Sequence, residues 1–313
     1  MTSDTAATSP RVAFLGLGNM GLPIARCIAA AGYDIVAWDR AEAPRQAAGA
    51  SGLAVPGSLT EALEGCDVLL TSLPGPAQIE ALVGDDAVAP LLFRPGLTWV
   101  DLTTSDANLN RRLAARLAAA GGAFGECPLT GAVDGARQAR LVGYFGGAAE
   151  VHRATADLLG SFCRAVYPCG DVGTGNAAKL VTNQLWFANA AMIGEALCLG
   201  LKAGIDLPNL HAVIVDSVGT SFVATHDVES IFAGHYDPSF STELCLKDLR
   251  LIAELAEAVG VDIPLTREVA GRFREAAARY GADAPELSVV RLIEEPAGVE
   301  LRVDGDWVPH WEK

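Results

Sequence analysis

The stretch RVAFLGLGNMGLPIARCIAAAG, residues 11–32, decides the fold class of this chain. A short apolar run leads into glycines with the spacing GxGxxG, and an apolar segment with helical character follows them. Glycines at these positions permit a tight turn and let the backbone approach a pyrophosphate at the N-terminus of a helix. The sequence therefore predicts a dinucleotide-binding turn. Its predicted cofactor-binding residues are Gly16, Gly18, Asn19, Met20 and Gly21.

A second apolar run ends in Asp39, about 20 residues after the turn, where dinucleotide-binding domains carry an acidic residue. The Asp39 carboxylate can accept hydrogen bonds from the adenosine ribose, and its charge repels a 2'-phosphate, which favours NAD over NADP. Arg40 is adjacent and can pair with a phosphate, or it is a solvated surface cation. NADP therefore stays open as the alternative cofactor.

Short β-branched or aliphatic runs bounded by turn residues predict strands in the first half of the chain. The predicted strands are residues 11–16, 33–39, 67–74, 97–103, 123–128, 140–147 and a run near 163–168. The predicted helices between them are residues 20–31, 42–49, 59–64, 77–82, 108–120 and 149–159. Alternation of this kind indicates βαβ units around a parallel sheet.

After Gly173 the sequence predicts helices almost throughout, at residues 176–203, 208–217, 243–259 and 264–280, with a poorly defined piece after Phe222. We therefore predict an α/β Rossmann-type dinucleotide-binding domain followed by an all-α C-terminal domain, joined by a long interdomain helix. The predicted divisions are a disordered N-terminus (1–10), the Rossmann NAD(P)-binding domain (11–172), a helical substrate and dimerisation domain (173–295), and a C-terminal extension (296–313) with a hairpin turning at Asp304 and Gly305.

The 313-residue chain is half apolar and carries a formal net charge of -15. Such a charge repels phosphate backbones and anionic lipid, so we expect no nucleic acid and no membrane as partner, and a small molecule instead. The N-terminal residues show no secretion signal, and the seven cysteines form no CxxC pair. Neither a disulfide framework nor a metal site is predicted, and we expect a cytoplasmic protein with reduced thiols.

Two loops, residues 73–80 and 101–106, follow predicted strand ends, where open α/β sheets bind their ligands. We expect both to line the nicotinamide half of the cofactor site. Ser105 and Asp106 also suit a helix start, and the two roles can coexist.

A third, turn-rich loop spans residues 126–139. In it Thr130, together with the amides of Gly131 and Ala132, can form a small anion cradle for a carboxylate. An ordinary loop is the equal alternative.

The segment 176–203 is apolar on nearly all sides, but polar residues interrupt it too often for a membrane span. We predict a buried core helix between the two domains. Lys179 and Asn183 stand at i and i+4 on one of its faces. The pKa of a lysine falls when the amine is desolvated, which lets lysine act as a general acid or base near neutral pH.

The alternative for Lys179 is an amine that extends from an apolar helix to solvent. Its position at the junction of two predicted domains, the usual place for a substrate cleft, favours catalysis. Lys247 and Asp248 lie on an amphipathic helix, and the helical pattern alone predicts surface charges there.

Taken together, these stretches resemble the β-hydroxyacid dehydrogenase family over residues 11–295. The motifs that carry the resemblance occur in order along the chain. They are GLGNMGLPIA, LPGP, DLTTSD, PLTGAVDGA with GYFGG, GTGNAAKLVTN, and KDL. The resemblance implies a Rossmann domain, a helical domain, a long connecting helix, and assembly as a homodimer or homotetramer.

The resemblance also implies roles for single residues. Lys179 matches the catalytic lysine of the family, and Asn183 matches an asparagine that holds the substrate and the lysine. Thr130 and Gly131 match residues that bind the substrate carboxylate. The positions that match cofactor contacts are Leu73, Pro74, Thr104 and Lys247.

The chain departs from the family pattern at several positions. Thr130 replaces a serine, and Ala132 stands where the family usually has a second glycine. Tyr144 and Phe145 replace smaller residues, and Gln78 replaces a frequent asparagine. These departures concern the identity of the substrate and leave the reaction class unchanged.

The leading hypothesis is reversible oxidation of a small 3-hydroxy acid, similar to 3-hydroxyisobutyrate, with an NAD(P) cofactor and Lys179 as the general acid/base. An alternative is an imine reductase or an NADPH-dependent semialdehyde reductase of the same superfamily. A third is a dinucleotide-binding scaffold without catalysis. Lys179 argues against the imine reductase, Asp39 argues against NADPH, and the presence of both Lys179 and Asn183 argues against the scaffold.

Overall fold

The computed structural model describes residues 10–305 and 308–309. The predicted disordered N-terminus lies outside the described residues except for Pro10, and so does most of the second half of the predicted hairpin. The chain divides into two compact units after Lys179. Each unit is described separately below.

The first unit contains an eight-stranded sheet. Its strands are β1 (Val12–Leu15), β2 (Ile35–Trp38), β3 (Val68–Thr71), β4 (Thr98–Asp101), β5 (Ala123–Glu126), β6 (Leu129–Thr130), β7 (Leu141–Gly147) and β8 (Cys163–Gly170). The order across the sheet is β2-β1-β3-β4-β5-β7-β6, and β8 pairs with β7. The order reverses at β1, so the carboxyl ends of β1 and β3 flank the crevice where open sheets bind ligands.

Strands β1 to β5 pair in parallel, as the alternating pattern predicts. Strand β7 is different, because it runs antiparallel to β5 and β6 and parallel to β8. The two-residue strand β6 was missed because a run this short has no period to read. The parallel sheet that the alternation predicts is thus present from β1 to β5, and the antiparallel pairing of β7 lies beyond it.

Helices cover the sheet. In this unit they are α1 (Gly21–Ala30), α2 (Glu42–Ala50), α3 (Leu59–Leu63), α4 (Pro76–Val83), α5 (Ala89–Leu92), α6 (Ala107–Ala119), α7 (Ala132–Arg137) and α8 (Ala149–Gly160). Adjacent residues of β1 point to opposite sides, with Phe14 in one apolar core and Leu15 in another. Both faces of the sheet are thus buried, which is why its strands are continuously apolar. The short helices α5 and α7 are absent from the sequence prediction.

The longest helix, α9 (Thr174–Lys202), was expected to be a buried core helix. Within its most apolar 18-residue window, of mean hydropathy 1.2, only 33% of the residues are buried. The expected burial is therefore only partial, although Phe187, Ile193 and Leu197 of α9 do lie in an apolar core. Among the described residues α9 alone is long and apolar enough to cross a membrane, although a core helix of a water-soluble protein meets the same criterion.

The second unit is helical throughout its described part. Its elements are α10 (Leu207–Val215), a π-helical turn (Val223–Asp227), α11 (Val228–Phe232), α12 (Thr242–Val259), α13 (Pro264–Tyr280) and α14 (Ser288–Ala297). The π-helical turn and α11 occupy the segment that the sequence left poorly defined, and α14 was not predicted. One apolar core, which includes Phe187, Ile231 and Phe273, joins these helices to the second part of α9.

The chain beyond α14 is attached to this helical unit. Leu301 is fully buried, and its backbone N–H donates to the Glu294 carboxylate at 2.7 Å. Arg302 pairs with the same carboxylate at 3.1 Å and donates to the Tyr236 hydroxyl at 2.7 Å. Described residues 299–305 form no strand.

Candidate functional site

The carboxyl ends of β1 and β3 come into close contact. A Cβ atom added at Gly16 would lie 2.2 Å from the carbonyl oxygen of Ser72, and Gly16 has a φ of +97°. Only glycine meets both conditions without strain. The glycine turn after β1 and the loop that contains Leu73 and Pro74 are thereby held against each other, at the point where the strand order reverses.

The other two glycines of the turn have different surroundings. A Cβ atom at Gly21 would lie 1.8 Å from the carbonyl oxygen of Gly16, so the start of α1 packs against the turn itself. A Cβ atom at Gly18 would meet nothing within 4 Å. The open space is therefore at Gly18.

This open space fits the pyrophosphate of a dinucleotide. The N-cap residue of α1, Met20, supplies no side-chain hydrogen bond to the helix, so the first N–H groups of α1 have no capping side chain. Such N–H groups, together with the positive end of the helix, bind phosphate oxygens. Gly18 and the start of α1 are thus the residues of this chain that would hold the cofactor phosphates.

Asp39 follows β2 directly. One of its carboxylate oxygens accepts a hydrogen bond from the backbone N–H of Leu17 at 2.7 Å, and the other from that of Ala41 at 2.8 Å. The carboxylate therefore sits beside the glycine turn. Each oxygen retains a further lone pair that can accept a ribose hydroxyl.

Two arginines lie near this carboxylate. Arg40, a predicted cofactor residue, is exposed, and no side-chain contact places it in the turn. Sequence reasoning missed Arg45, whose Nη1 atom donates to the carbonyl oxygens of Asp39 and Arg40 at 2.7 Å and 2.8 Å. Its guanidinium also lies over the Trp38 ring, 5.7 Å from the ring centroid. Its position on the first turns of α2, soon after Asp39, is the feature of the sequence that could have indicated this contact.

The loops after β3 and β4 are joined by hydrogen bonds. The backbone N–H of Leu73 donates to the Thr103 hydroxyl at 3.0 Å. The Asp101 carboxylate accepts from the Thr71 hydroxyl at 2.7 Å and from the Thr103 backbone N–H at 3.1 Å. Leu73 and half-buried Thr104, two predicted cofactor residues, therefore lie on loops that share one buried network.

The Asp101 side chain is fully buried, and its second oxygen has no hydrogen-bond partner. Burial raises the pKa of Asp101 from 3.8 to about 7, although hydrogen bonds from Thr103 and Thr71 oppose this change. A carboxyl group with such a pKa binds a proton at mildly acidic pH. Sequence reasoning placed this residue in a ligand loop but gave it no role.

The predicted carboxylate-binding residues lie where β6 meets α7. Thr130 ends β6, Gly131 has a φ of +123°, and Ala132 has a φ of +55°. An alanine in the left-handed region is strained by about 1 kcal/mol relative to glycine. This explains why a second glycine suits the position. This geometry is compatible with both interpretations of the loop, an anion cradle for a carboxylate and an ordinary loop.

Lys179 and Asn183 stand one turn apart on α9, as predicted. Lys179 is half-buried and Asn183 is buried. In the helical unit the Asn183 side-chain amide donates to the Asp248 carboxylate at 2.7 Å. Asp248 also forms an ion pair with Lys247, with 2.9 Å between Nζ and Oδ1.

The prediction that Lys247 and Asp248 are surface charges is therefore wrong. Asp248 is buried, and only 17% of the Lys247 side chain is exposed. A helical pattern assigns charges to the outer face because isolated buried charges are costly, but a paired set removes most of that cost. Asp248 was not among the predicted site residues, although the KDL motif that carries part of the family resemblance contains it.

Among the described residues no group of three or more histidine, cysteine, aspartate or glutamate side chains is placed to hold a metal ion. In the first unit the candidate residues are the glycine turn, Asp39 and the two loops after β3 and β4, and in the helical unit they are Asn183, Lys247 and Asp248.

Residues 11–170 match the family model described as the NAD binding domain of 6-phosphogluconate dehydrogenase. Residues 173–293 match the family model described as NAD-binding of NADP-dependent 3-hydroxyisobutyrate dehydrogenase. Together with the glycine turn, these matches define the class of the protein, an NAD(P)-binding oxidoreductase.

Individual relatives indicate the family within this class. The chain is 30% identical over 262 residues to human mitochondrial 3-hydroxyisobutyrate dehydrogenase, with 81% of this chain and 78% of that protein covered. It is 28% identical over 295 residues to 2-(hydroxymethyl)glutarate dehydrogenase of Eubacterium barkeri, with 94% and 98% covered. The solved structure of Mycobacterium tuberculosis 3-hydroxyisobutyrate dehydrogenase with L-serine has a TM-score of 0.80 and 29% identity, with 91% and 99% covered. The chain belongs to the β-hydroxyacid dehydrogenase family, whose members are NAD(P)-dependent hydroxyacid dehydrogenases.

The glycine turn gives a first test. Gly18→Ala should leave the melting temperature nearly unchanged, because a Cβ atom there meets no protein atom. It should weaken NAD binding by about tenfold or more, because the added methyl group occupies the space for the pyrophosphate. The matched variant Gly21→Ala should lower the melting temperature, because its Cβ atom overlaps the Gly16 carbonyl oxygen. Protein fluorescence titration and calorimetry measure the two quantities. Unaltered NAD affinity in Gly18→Ala would contradict this assignment of the open space.

Asp101 gives a second test, through pH. Because its pKa is raised in the folded protein, the folded state keeps the proton between pH 3.8 and about 7 while the unfolded chain releases it. The bound proton therefore contributes fully to the free energy of unfolding below pH 3.8, and this contribution is lost as pH rises toward about 7. Asp101→Asn cannot lose this proton. Its free energy of unfolding relative to the native protein should rise with pH, by at most about 1.4 kcal/mol per pH unit. Urea unfolding at several pH values measures the difference, and a difference that does not change with pH would contradict the raised pKa of Asp101.

Proposed function

We propose that this protein reversibly oxidises a small 3-hydroxy acid, with NAD as the preferred cofactor and Lys179 as the group that takes and returns the hydroxyl proton. One observation carries the proposal. Lys179 and Asn183 are neighbours on one face of α9, and Asn183 is buried and held by the Asp248 carboxylate. A lysine one helical turn from a fixed amide is suited to proton transfer at an oriented substrate.

The chemistry divides between cofactor and protein. When bound, the nicotinamide supplies the acceptor for the hydride that leaves the carbinol carbon. Neutral Lys179 accepts the hydroxyl proton at Nζ, so that the alcohol becomes a carbonyl group and the amine becomes an ammonium. In the reverse direction the ammonium returns the proton to the carbonyl oxygen.

The substrate is oriented by two further groups of residues. Thr130 and Gly131 are proposed to hold the carboxylate, as the matching family positions imply, together with the backbone amide of Ala132. Asn183 orients the reacting hydroxyl and the lysine, since its amide donates to Asp248 and cannot rotate without breaking that hydrogen bond. Leu73, Pro74, Thr104 and Lys247 are proposed to contact the cofactor.

NAD is proposed over NADP because of Asp39. Its carboxylate is fixed beside the glycine turn by two backbone N–H groups. A 2'-phosphate placed there would meet a negative charge. Arg45 does not offset this fully, because its Nη1 atom already donates to two backbone carbonyl groups.

We also propose that the enzyme is cytoplasmic and assembles as a homodimer or homotetramer. All seven cysteines are free thiols, which suits a reducing compartment. Assembly is supported by α9, where side chains more than half exposed recur at spacings of four and seven residues: Val181, Leu185, Met192 and Leu199. Apolar residues at this spacing form the contact face of paired helices.

Lys179→Ala tests the reaction. Turnover should fall by at least about 10²-fold, since general acid/base catalysis contributes a factor of this size, while NAD binding stays within about twofold. The assay measures NAD reduction with 3-hydroxyisobutyrate, 2-(hydroxymethyl)glutarate and L-serine, with NADP as the comparison cofactor. Lys202→Ala, at the other end of α9, is the matched control and should keep native rates. Native turnover in Lys179→Ala would refute the assignment, and reduction of a cyclic imine in preference to oxidation of any hydroxy acid would favour the imine reductase alternative.

Met192→Glu tests the assembly. A charge in the middle of the exposed apolar face of α9 should shift the protein to a smaller species in light scattering coupled to size exclusion, because a carboxylate is costly to bury without a partner. Val213→Glu is the matched control, since Val213 is equally exposed but lies on α10. An unchanged molar mass in Met192→Glu, or a native protein that is already monomeric, would rule out this face.

A further inference from the structure

The first turn of α9 has no capping side chain of its own. The helix begins at Thr174, and the residue before it is Gly173, which has no side chain to accept a hydrogen bond. The first N–H groups of any helix need acceptors from elsewhere. The Thr174 N–H donates to the Asp171 carbonyl oxygen, and Glu126, at the end of β5, accepts from the backbone N–H groups of Gly173 and Asn176 through its Oε1 atom, each at 2.9 Å.

The second oxygen of Glu126 is equally engaged. Oε2 accepts from the side-chain amide of Asn110 at 2.6 Å and from that of Asn176 at 3.1 Å. Glu126 is fully buried, so water does not contribute. Four N–H donors therefore face the two oxygens, and an acidic side chain at this end of a helix is favourably placed.

Asn176 extends the network to the cofactor loops. Its side-chain oxygen accepts from the backbone N–H of Ser105 at 2.7 Å. Ser105 follows Thr104 in the loop after β4, and Asn176 precedes Lys179 by three residues, which places the two on adjacent turns of one helical surface. One buried network thus joins the loop after β4, the end of β5 and the helical turn that leads to Lys179.

Backbone contacts leave this turn little freedom. A Cβ atom at Gly175 would lie 2.3 Å from the carbonyl oxygen of Tyr144, and one at Gly146 would lie 2.7 Å from Oε1 of Glu126. The backbones of β7 and α9 therefore approach directly over the carboxylate. This accounts for glycines in both GYFGG and GTGN, which the sequence singled out without assigning them a contact.

We propose that Glu126 is a positioning residue for Lys179. It fixes the first turn of α9 from outside the helix and, through Asn176, sets that turn relative to the loop after β4. The proposal rests on the proposed role of Lys179 in proton transfer. It assigns to Glu126 no contact with substrate or cofactor.

Glu126→Gln is the principal test. Glutamine has the same size and keeps one acceptor oxygen, but it presents an N–H₂ group to the amides of Asn110 and Asn176, which are donors. With the best substrate among 3-hydroxyisobutyrate, 2-(hydroxymethyl)glutarate and L-serine, kcat should fall about 10- to 100-fold while the Kd for NAD changes by less than about twofold. The primary deuterium isotope effect on kcat should rise, because the chemical step becomes slower relative to product release.

A second readout requires no substrate. Competitive acetylation followed by mass spectrometry gives the reactivity of the Lys179 amine relative to that of Lys202, at the other end of the same helix. Glu126→Gln should change this ratio by about fivefold, the factor that corresponds to loss of a helix cap. Asp206→Asn is the matched control, since Asp206 caps α10 by accepting from the Asn209 N–H, and it should alter neither ratio nor kcat.

The outcomes separate this inference from the proposed function. If Lys179→Ala keeps its turnover, the proposed function fails. If Lys179→Ala is inactive while Glu126→Gln keeps native kcat and native Lys179 reactivity, only the positioning role is overturned. If Glu126→Gln does not fold, Asn176→Ala decides, because it removes the links to Glu126 and Ser105 but leaves the two backbone hydrogen bonds to Gly173 and residue 176 in place. That variant should lose about tenfold in kcat, and native kcat would overturn the proposal.

Discussion

The loops of the Rossmann unit depend on one kind of interaction, a carboxylate at the carboxyl end of a strand that accepts backbone N–H groups. Asp39 does this after β2 for Leu17 and Ala41. Asp101, at the end of β4, accepts from the backbone N–H of Thr103, and Glu126, at the end of β5, accepts from backbone N–H groups at the start of α9. Buried backbone N–H groups need acceptors, and a loop that lies over strand ends finds few in the backbone itself. The acidic side chains therefore fix the loops as well as any ligand that the loops hold.

The number of donors differs between these carboxylates. Glu126 has four N–H donors for two oxygens, whereas one oxygen of fully buried Asp101 has no partner. Burial raises the pKa of Asp101 to about 7, and the hydrogen bonds from Thr103 and Thr71 oppose this rise only in part. A carboxyl group that changes charge near neutral pH thus lies between two loops that are proposed to contact the nicotinamide.

Much of this could be predicted from the sequence. The GxGxxG spacing and the position of Asp39 define the turn after β1, because few other arrangements need glycines at those intervals. The strands β1 to β5 follow from their continuous apolar character. The antiparallel pairing of β7 could not be predicted, because apolar runs do not encode the direction of their neighbours. The helix α7 is too short to show a helical period. Its first residue, Ala132, adopts a positive φ, which cannot be predicted from the presence of an alanine because alanine rarely adopts it.

The contacts of α9 and α12 show a different limit. A pattern argument treats each charge on a helix separately, and on that basis Lys247 and Asp248 belong on the surface. The fold instead pairs them and gives the remaining Asp248 oxygen to Asn183, a residue 65 positions away in the chain. Periodicity cannot reveal such long-range pairing, because Asn183 lies in the motif GTGNAAKLVTN whereas Lys247 and Asp248 lie in the separate motif KDL. The polar residues of α9 therefore have different roles: Asn183 donates to Asp248 and Gln184 donates to the Thr266 hydroxyl at 2.7 Å, whereas Asn189 and Lys202 are exposed.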